Sequence, residues 1–242
     1  MYINFWYPAI QAGNLTDEPQ KVRMLGQEFV LFRDSDGQAR CLANTCSHRG
    51  GSLAGGKIRG DCIQCPYHGW QFDGEGRCTR IPSLGKDASI PARTRVDAYP
   101  VQEKYGLVFA FLGDLPEGER PPLLEIPEFE SADWRATWME YEVPFNFERS
   151  VENGLDPAHN EFVHPTHGFS GENDNYRVNI VRWVGDAEWG PGFFAQFNSP
   201  ESKDKDFAKM KQASNTREAG TGAIGPNQIW TYIRFGPGKA MH

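Results

Sequence analysis

The sequence predicts an α+β protein: a β-rich first half, then a second half in which strands accompany one helix. Three observations carry this expectation. Short strand-like runs bounded by turn residues fill the chain up to Gly113. A proline-rich stretch, Leu115 to Pro127, divides it. The best helix candidate of the second half, Asn146 to about His164, follows that stretch.

Taken in order, Gln20–Met24 and Glu28–Arg33 read as strands, and Asp34-Ser35-Asp36-Gly37 is turn chemistry. Eight of the 26 glycines fall between Gly50 and Gly76, so that region is loop-rich and tightly turned. Gln71 to Cys78 reads as a hairpin, and Val101 to Gly113 as a further strand pair. Pro116, Pro121, Pro122 and Pro127 remove amide donors, so residues 116–127 read as an extended linker between domains at 1–115 and 128–242. Beyond it, Trp134–Val143, Tyr176–Val184, Gly192–Phe197 and Gln228–Phe235 are strand-like. Ser199 to Asn215 reads as a helix or a mobile loop. Ile229–Phe235 followed by Gly-Pro-Gly resembles an interrupted sheet rather than a finished domain.

Composition narrows the function classes. The 242 residues suggest one large domain or two ordinary ones. A net charge of -7 offers no basic surplus for nucleic acid or an anionic membrane. The longest apolar run, Leu107 to Leu112, falls far short of a bilayer span. The N-terminus has no basic segment before an apolar one, so no signal peptide is read and a cytoplasmic location is expected.

The metal-ligating residues are clustered. Cys41, Cys46, Cys62, Cys65 and Cys78 share one 38-residue window. An odd, clustered set argues for a metal site rather than a disulfide framework. His48 and His68 lie inside the window, and His159, His164 and His167 form a second group.

The first set is Cys46-Ser-His48 and Cys65-Pro-Tyr-His68, with sixteen residues between His48 and Cys65. Each loop offers one thiolate and one imidazole, which suits an iron–sulfur cluster or zinc. A zinc ribbon more often pairs like ligands within a loop. Cys62-x-x-Cys65 could form a redox dithiol or a zinc half-site, but would leave His48 and His68 unexplained. Cys41, Cys62 and Cys78 read as small buried hydrophobes.

In the second set, Asp156 and His159 are i,i+3 neighbours and share a face of a regular helix. His159 and His164 lie about 140° apart on such a helix, so they meet one metal only if it ends or bulges between them. The zinc-protease motif is excluded by that spacing.

Cys46-x-His48 with Cys65-x-x-His68 resembles the Rieske family, over about residues 1–115. The resemblance implies an all-β domain holding a 2Fe-2S cluster, with Cys46 and Cys65 on the inner iron and His48 and His68 on the outer. Neutral imidazoles make such a cluster easier to reduce. Arg49, Gly50, Tyr67, Gly69 and Trp70 are similar to the oxygenase branch; Gly51 and Tyr67 stand where the cytochrome-complex branch has a disulfide. Asn153, Asp156, His159 and His164 resemble the mononuclear iron motif of Rieske non-haem iron oxygenases.

That likeness implies a helix-grip-like catalytic domain, here incomplete, in which His159 and His164 bind ferrous iron. Asp156 would bridge His159 to His68 of a neighbouring subunit, in a head-to-tail homotrimer. Asn153 would lie near the iron. Partners implied are a ferredoxin or flavin reductase, dioxygen, and a small aromatic or apolar substrate to be hydroxylated or demethylated. Asn4 to Pro8 and Glu103 to Leu107 resemble the monooxygenase and demethylase branch. The family's third iron ligand is a carboxylate on a later helix; Asp174, Asp186, Asp204 and Asp206 do not resemble it. The chain is therefore expected to be the N-terminal part of a longer polypeptide, the alternative being a short form with a weakened iron site. Trp183, Trp189, Phe193, Phe194, Phe197, Trp230, Tyr232 and Phe235 are expected to fill a core, some lining a substrate pocket. A different function, a Rieske electron carrier with a degenerate catalytic half, is the alternative.

Overall fold

The computed structural model describes residues 2–185, 190–210, 214–236 and 238–242. They divide into two compact units, Met1–Leu123 and Leu124–His242.

The first unit holds eleven strands: β1 (Phe5–Gln11), β2 (Gln20–Met24), β3 (Gln27–Arg33), β4 (Ala39–Ala43), β5 (Lys57–Arg59), β6 (Cys62–Gln64), β7 (Gln71–Asp73), β8 (Cys78–Arg80), β9 (Ala98–Tyr99), β10 (Val101–Lys104) and β11 (Leu107–Leu112). They form three sheets, in the orders β1-β11-β10, β2-β3-β4-β9 and β5-β6-β7-β8.

The middle sheet is covered on both sides, and strand alternation explains how. Phe29 and Leu31 of β3 enter one core with Tyr7, Leu15 and Val108. Val30 and Phe32 enter another with Leu53, Ile63 and Phe72. β4 divides in the same way, Cys41 to the first core and Leu42 to the second. An uninterrupted apolar run is what a doubly covered strand requires. The hairpins β2–β3 and β10–β11 close through Leu25-Gly26 and Tyr105-Gly106, all four at positive φ, the turn that matches strand twist.

The proline-rich stretch is anchored in part. Leu123 packs with Trp6, Phe109 and Phe111, and the Trp6 indole donates to the Pro121 carbonyl at 2.7 Å. Glu117–Glu119 and Pro127–Glu130 form single 3-10 turns.

The second unit holds α1 (Phe147–Gly154), α2 (Asn160–Val163), β12 (Val178–Val184), β13 (Gly192–Ser199), α3 (Lys205–Met210), β14 (Ser214–Ile224), β15 (Gln228–Gly236) and β16 (Lys239–Met241). The five strands form one antiparallel sheet in sequence order. The α+β expectation holds, with little helix.

Several expected elements differ. Trp134–Val143 forms no strand: Trp138, Met139, Tyr141 and Val143 are exposed, and no described strand pairs with them. The single helix expected over 146–164 is broken into α1, a 3-10 turn at Pro157–His159, and α2. Pro157 is the cause, because the residue before proline resists helical dihedrals; Asp156 sits at φ -114°, ψ 87°. The sheet continues past the interruption expected after Phe235: Gly236 pairs with Lys239, and β16 follows β15 in the sheet. No helix among the described residues is long and apolar enough to cross a membrane.

Candidate metal centres

The first centre is built from two loops of the same design. One follows β4 and carries Cys46 and His48; the other joins β6 to β7 and carries Cys65 and His68. In the first, the Gly50 amide donates to the Cys46 carbonyl at 2.9 Å; in the second, the Gly69 amide donates to the Cys65 carbonyl at 3.1 Å. Both glycines sit at φ above +70°, where a side chain is strained. Each cysteine amide is tied across its loop, Cys46 to the Gly51 carbonyl and Cys65 to that of Trp70.

These loops bring the donors together. The Cys46 and Cys65 thiols stand close enough for one to act on the other's ionisation, and both residues are buried. The His48 and His68 rings lie 4.6 Å apart. Trp70 stacks on His48 at 4.3 Å, and Tyr67 packs on His68 at 3.9 Å. Buried thiols with half-buried and exposed imidazoles match a group whose sulfur-bound side faces inward. Gly51 keeps the space beside Cys65 open: a methyl there would stand 3.1 Å from its sulfur. The donor set and this clearance fit a two-iron cluster.

Electrostatics agree. Burial, with the adjacent Cys65 thiol, pushes the Cys46 thiol up to about 11. Desolvation, then His68 and Arg49, hold His48 below its ordinary value, so its imidazole is neutral and able to ligate. Metal uptake must therefore displace thiol protons.

Asn44, not singled out from the sequence, fixes the first loop. It is 2% exposed. Its Nδ2 donates to Glu28 Oε2 at 3.1 Å and to Ser52 Oγ at 3.0 Å, and its Oδ1 accepts from the Ala54 amide at 2.9 Å. Of the cysteines read as small hydrophobes, Cys41 and Cys78 are buried, but Cys62 is only half-buried, its sulfur 3.3 Å from Thr79 Oγ1.

The second centre begins where α1 ends. Asn146 caps α1 by accepting from the Glu148 amide. Thr221 of β14 donates to the Gly154 carbonyl at 2.7 Å, pinning the end of α1 to the sheet. Asp156 then caps the following turn, its Oδ1 accepting from the Ala158 amide at 3.0 Å. The helix break brings His159 and His164 together, with Nε2 atoms 3.1 Å apart. Two nitrogens sharing one metal at roughly 2.1 Å and a near-right angle stand about that far apart. His159 Nδ1 meets the Asp156 carbonyl, which leaves Nε2 as the ligating atom. Burial, with His159 nearby, lowers the pKa of His164.

Glu161, between the two histidines, is likewise not singled out by the sequence. Its Oε1 accepts from Ser170 Oγ at 2.8 Å and from the Gly171 and Asn173 amides at 2.9 and 3.1 Å. Burial works to raise its pKa, but these bonds hold it below the usual carboxylate range. Glu161 thereby moors α2 as a charged residue.

Other expected contacts are absent or different. The Asp156 carboxyl is exposed and caps a turn; its carbonyl, not its carboxyl, touches His159. The shared helical face expected for Asp156 and His159 does not form, because Pro157 interrupts the helix. Asn153 is exposed at the end of α1 and lines the cavity below the histidines. Asp174 accepts from Asn175, Asp204 caps α3, and Asp206 pairs with Lys209; Asp186 lies outside the described residues. Among the described residues no set of three His, Cys, Asp or Glu side chains surrounds one point.

The histidine pair borders a cavity of about 410 Å³ against the sheet. The aromatic residues divide across that sheet. Phe193, Phe197 and Phe235 line the cavity, whereas Phe194 and Trp230 pack together at 5.8 Å without lining it. Trp183 is exposed rather than core, because it sits on the edge strand β12; Trp189 lies outside the described residues.

Comparison with known proteins agrees with this architecture. Residues 5–100 match the Rieske 2Fe-2S domain. The chain is 37% identical over 164 residues to 4beta-methylsterol monooxygenase of Methylococcus capsulatus, covering 66% of this chain and 44% of that one. It is 35% identical over 182 residues to phenoxybenzoate dioxygenase subunit alpha of Ectopseudomonas oleovorans, covering 69% and 43%. The chain thus spans less than half the length of these relatives. In fold it is similar to dicamba monooxygenase bound to dicamba, with TM-score 0.74 and 23% identity over 96% of this chain and 67% of that one. Residues 5–100 are thus a Rieske 2Fe-2S domain, and the chain is similar to oxygenases over a stretch longer than that domain.

Proposed function

We propose that the chain is the terminal oxygenase component of a Rieske-type system, receiving electrons from a ferredoxin or flavin reductase. The observation that carries this reading is the presence of both donor sets in one chain. The paired thiols and imidazoles belong to the first unit, and the His159–His164 pair at 3.1 Å belongs to the second. The division of labour follows: residues 1–115 hold the 2Fe-2S cluster, 116–127 connect, and 128–242 hold a mononuclear ferrous iron.

Cys46 and Cys65 would bind the inner cluster iron, His48 and His68 the outer, and His159 and His164 the ferrous iron. When bound, these groups supply single electrons and the dioxygen chemistry that hydroxylates or demethylates a substrate. The chain's own residues aim and connect. The Asp156 carbonyl fixes the His159 tautomer. The Asp156 carboxyl and His68 are both exposed, and so available to each other across neighbouring copies in a homotrimer. Asn153 stands at the cavity wall beside the histidines. Phe193, Phe197 and Phe235 give the cavity an aromatic lining suited to a small aromatic or apolar substrate. Relatives named for a benzoate and for a sterol bracket that class. All five cysteines are free, in keeping with a cytoplasmic protein.

The test is metal and turnover analysis of anaerobically prepared protein. Acid-labile sulfide, a Rieske-type paramagnetic resonance signal on reduction, and substrate-coupled oxygen uptake with a reductase are expected. A colourless, sulfide-free protein refutes the reading. A cluster that reduces reversibly without ever consuming oxygen leaves only an electron carrier.

A further inference from the structure

The sheet decides what its cavity presents to an occupant, because alternate residues of a strand share a face. β14 contributes Arg217, Ala219 and Thr221, and β13 contributes Phe197, Ala195 and Phe193 in register opposite them. β15 adds Thr231, Ile233 and Phe235. Among the described residues that line the cavity, Arg217 alone carries a permanent charge. It is 4% exposed. Its Nη1 donates to the Arg234 carbonyl at 3.1 Å, and its guanidinium lies 5.5 Å from the centre of the Phe235 ring. Burial lowers its pKa, yet a guanidinium stays protonated at neutral pH.

Keeping a guanidinium away from water costs a fold a good deal. A long cationic side chain that serves only packing normally carries its head out to solvent. Here the head is held in, against the ring of Phe235, a residue that lines the cavity with Arg217 itself, and the strands around it add Phe, Ala, Thr, Gly and Ile. A single fixed cation beside aromatic faces recognises a planar anion attached to a ring.

We propose that Arg217 is the specificity-determining residue of this cavity and selects an aromatic substrate that carries a carboxylate. The rings of Phe193, Phe197 and Phe235 take the apolar body, and the guanidinium fork takes the two carboxylate oxygens. The inference rests on the oxygenase reading only in equating the occupant of this cavity with the substrate.

The test is calorimetric titration of the anaerobic holoprotein with benzoate, phenoxyacetate and cinnamate, each against its own neutral amide. At least one acid should bind wild type roughly tenfold or more tightly than its amide. Arg217→Gln should erase that preference while amide affinity stays within about twofold. Arg217→Lys keeps the charge without the fork and should retain part of it. A wild-type protein that prefers no acid of the set, or an Arg217→Gln protein that keeps the preference, overturns the proposal. Should Arg217→Gln fail to fold, full retention of the preference in Arg217→Lys overturns it, and a decline supports it. Cluster absorbance, iron content and oxygen uptake are read on the same samples. Intact preference without oxygen uptake counts against the oxygenase reading and leaves Arg217 in place.

Discussion

Replacing Asn44 with alanine separates the scaffold of the first metal-binding loop from the ligands themselves. Four bonds disappear: one to Glu28 Oε2, two shared with Ser52 Oγ and one from the Ala54 amide. Glu28 and Ser52 are exposed and can turn to water. The part-buried Ala54 amide loses its side-chain acceptor, and that orphaned donor dominates. One unsatisfied buried donor costs roughly 1–3 kcal/mol, and each lost bond about 1 kcal/mol or less, so about 3 kcal/mol in all is expected. For a unit of this size that lowers the melting temperature by roughly 10 °C. The assay is thermal unfolding followed both by far-ultraviolet dichroism and by the visible absorbance of the cluster. Both transitions should fall together, with the cluster bleaching no later than the fold is lost. A shift below about 3 °C with unchanged bleaching would refute the reasoning.

Three further outcomes follow from the same structure. Burial pushes the Cys41 thiol up to about 12 from an ordinary 9.0, so the folded state holds that proton more tightly than the unfolded chain does. The stability tied to it is complete below pH 9 and fades as pH rises toward 12; urea midpoints of Cys41→Ala should decline less steeply above pH 9 than wild type, and equal slopes would count against it. Asp156→Asn preserves a capping oxygen for the Ala158 amide, so fold and both metals should persist while turnover stops; wild-type rates would remove Asp156 from any bridging role. His164→Ala should lose the mononuclear iron and keep the cluster absorbance, read as an iron-to-sulfide ratio, and an unchanged ratio would exclude His164 as a ligand.

The sequence disclosed the metal chemistry better than the architecture. Ligand residues are few in type and rigid in spacing, so Cys46, His48, Cys65 and His68 stood out without any structure. Strands were harder. β1 has Pro8 at its middle, a poor strand signal, but an edge strand tolerates proline, and a bulge follows at Pro8. β14 lacks any strand-like composition, yet lies at the centre of its sheet. Gly220 and Gly222 leave room there for the rings of Phe194 and Trp230, which would stand 2.5 Å from an added methyl. Trp134–Val143 erred the other way, since a strand pattern yields a strand only where a partner pairs with it. Asn44, Glu161 and Arg217 were invisible because a polar residue declares its importance only through burial, which no sequence prints.

The four side chains from Phe29 to Phe32 serve two interiors at once. A strand shared in this manner cannot relax toward one neighbour without disturbing the other. The N-terminal sheet and the thiol-bearing loops are therefore mechanically in series. Repacking against Tyr7 or Val108 will be felt at Cys46 and Cys65, and substitutions remote from every ligand become a means of adjusting redox behaviour.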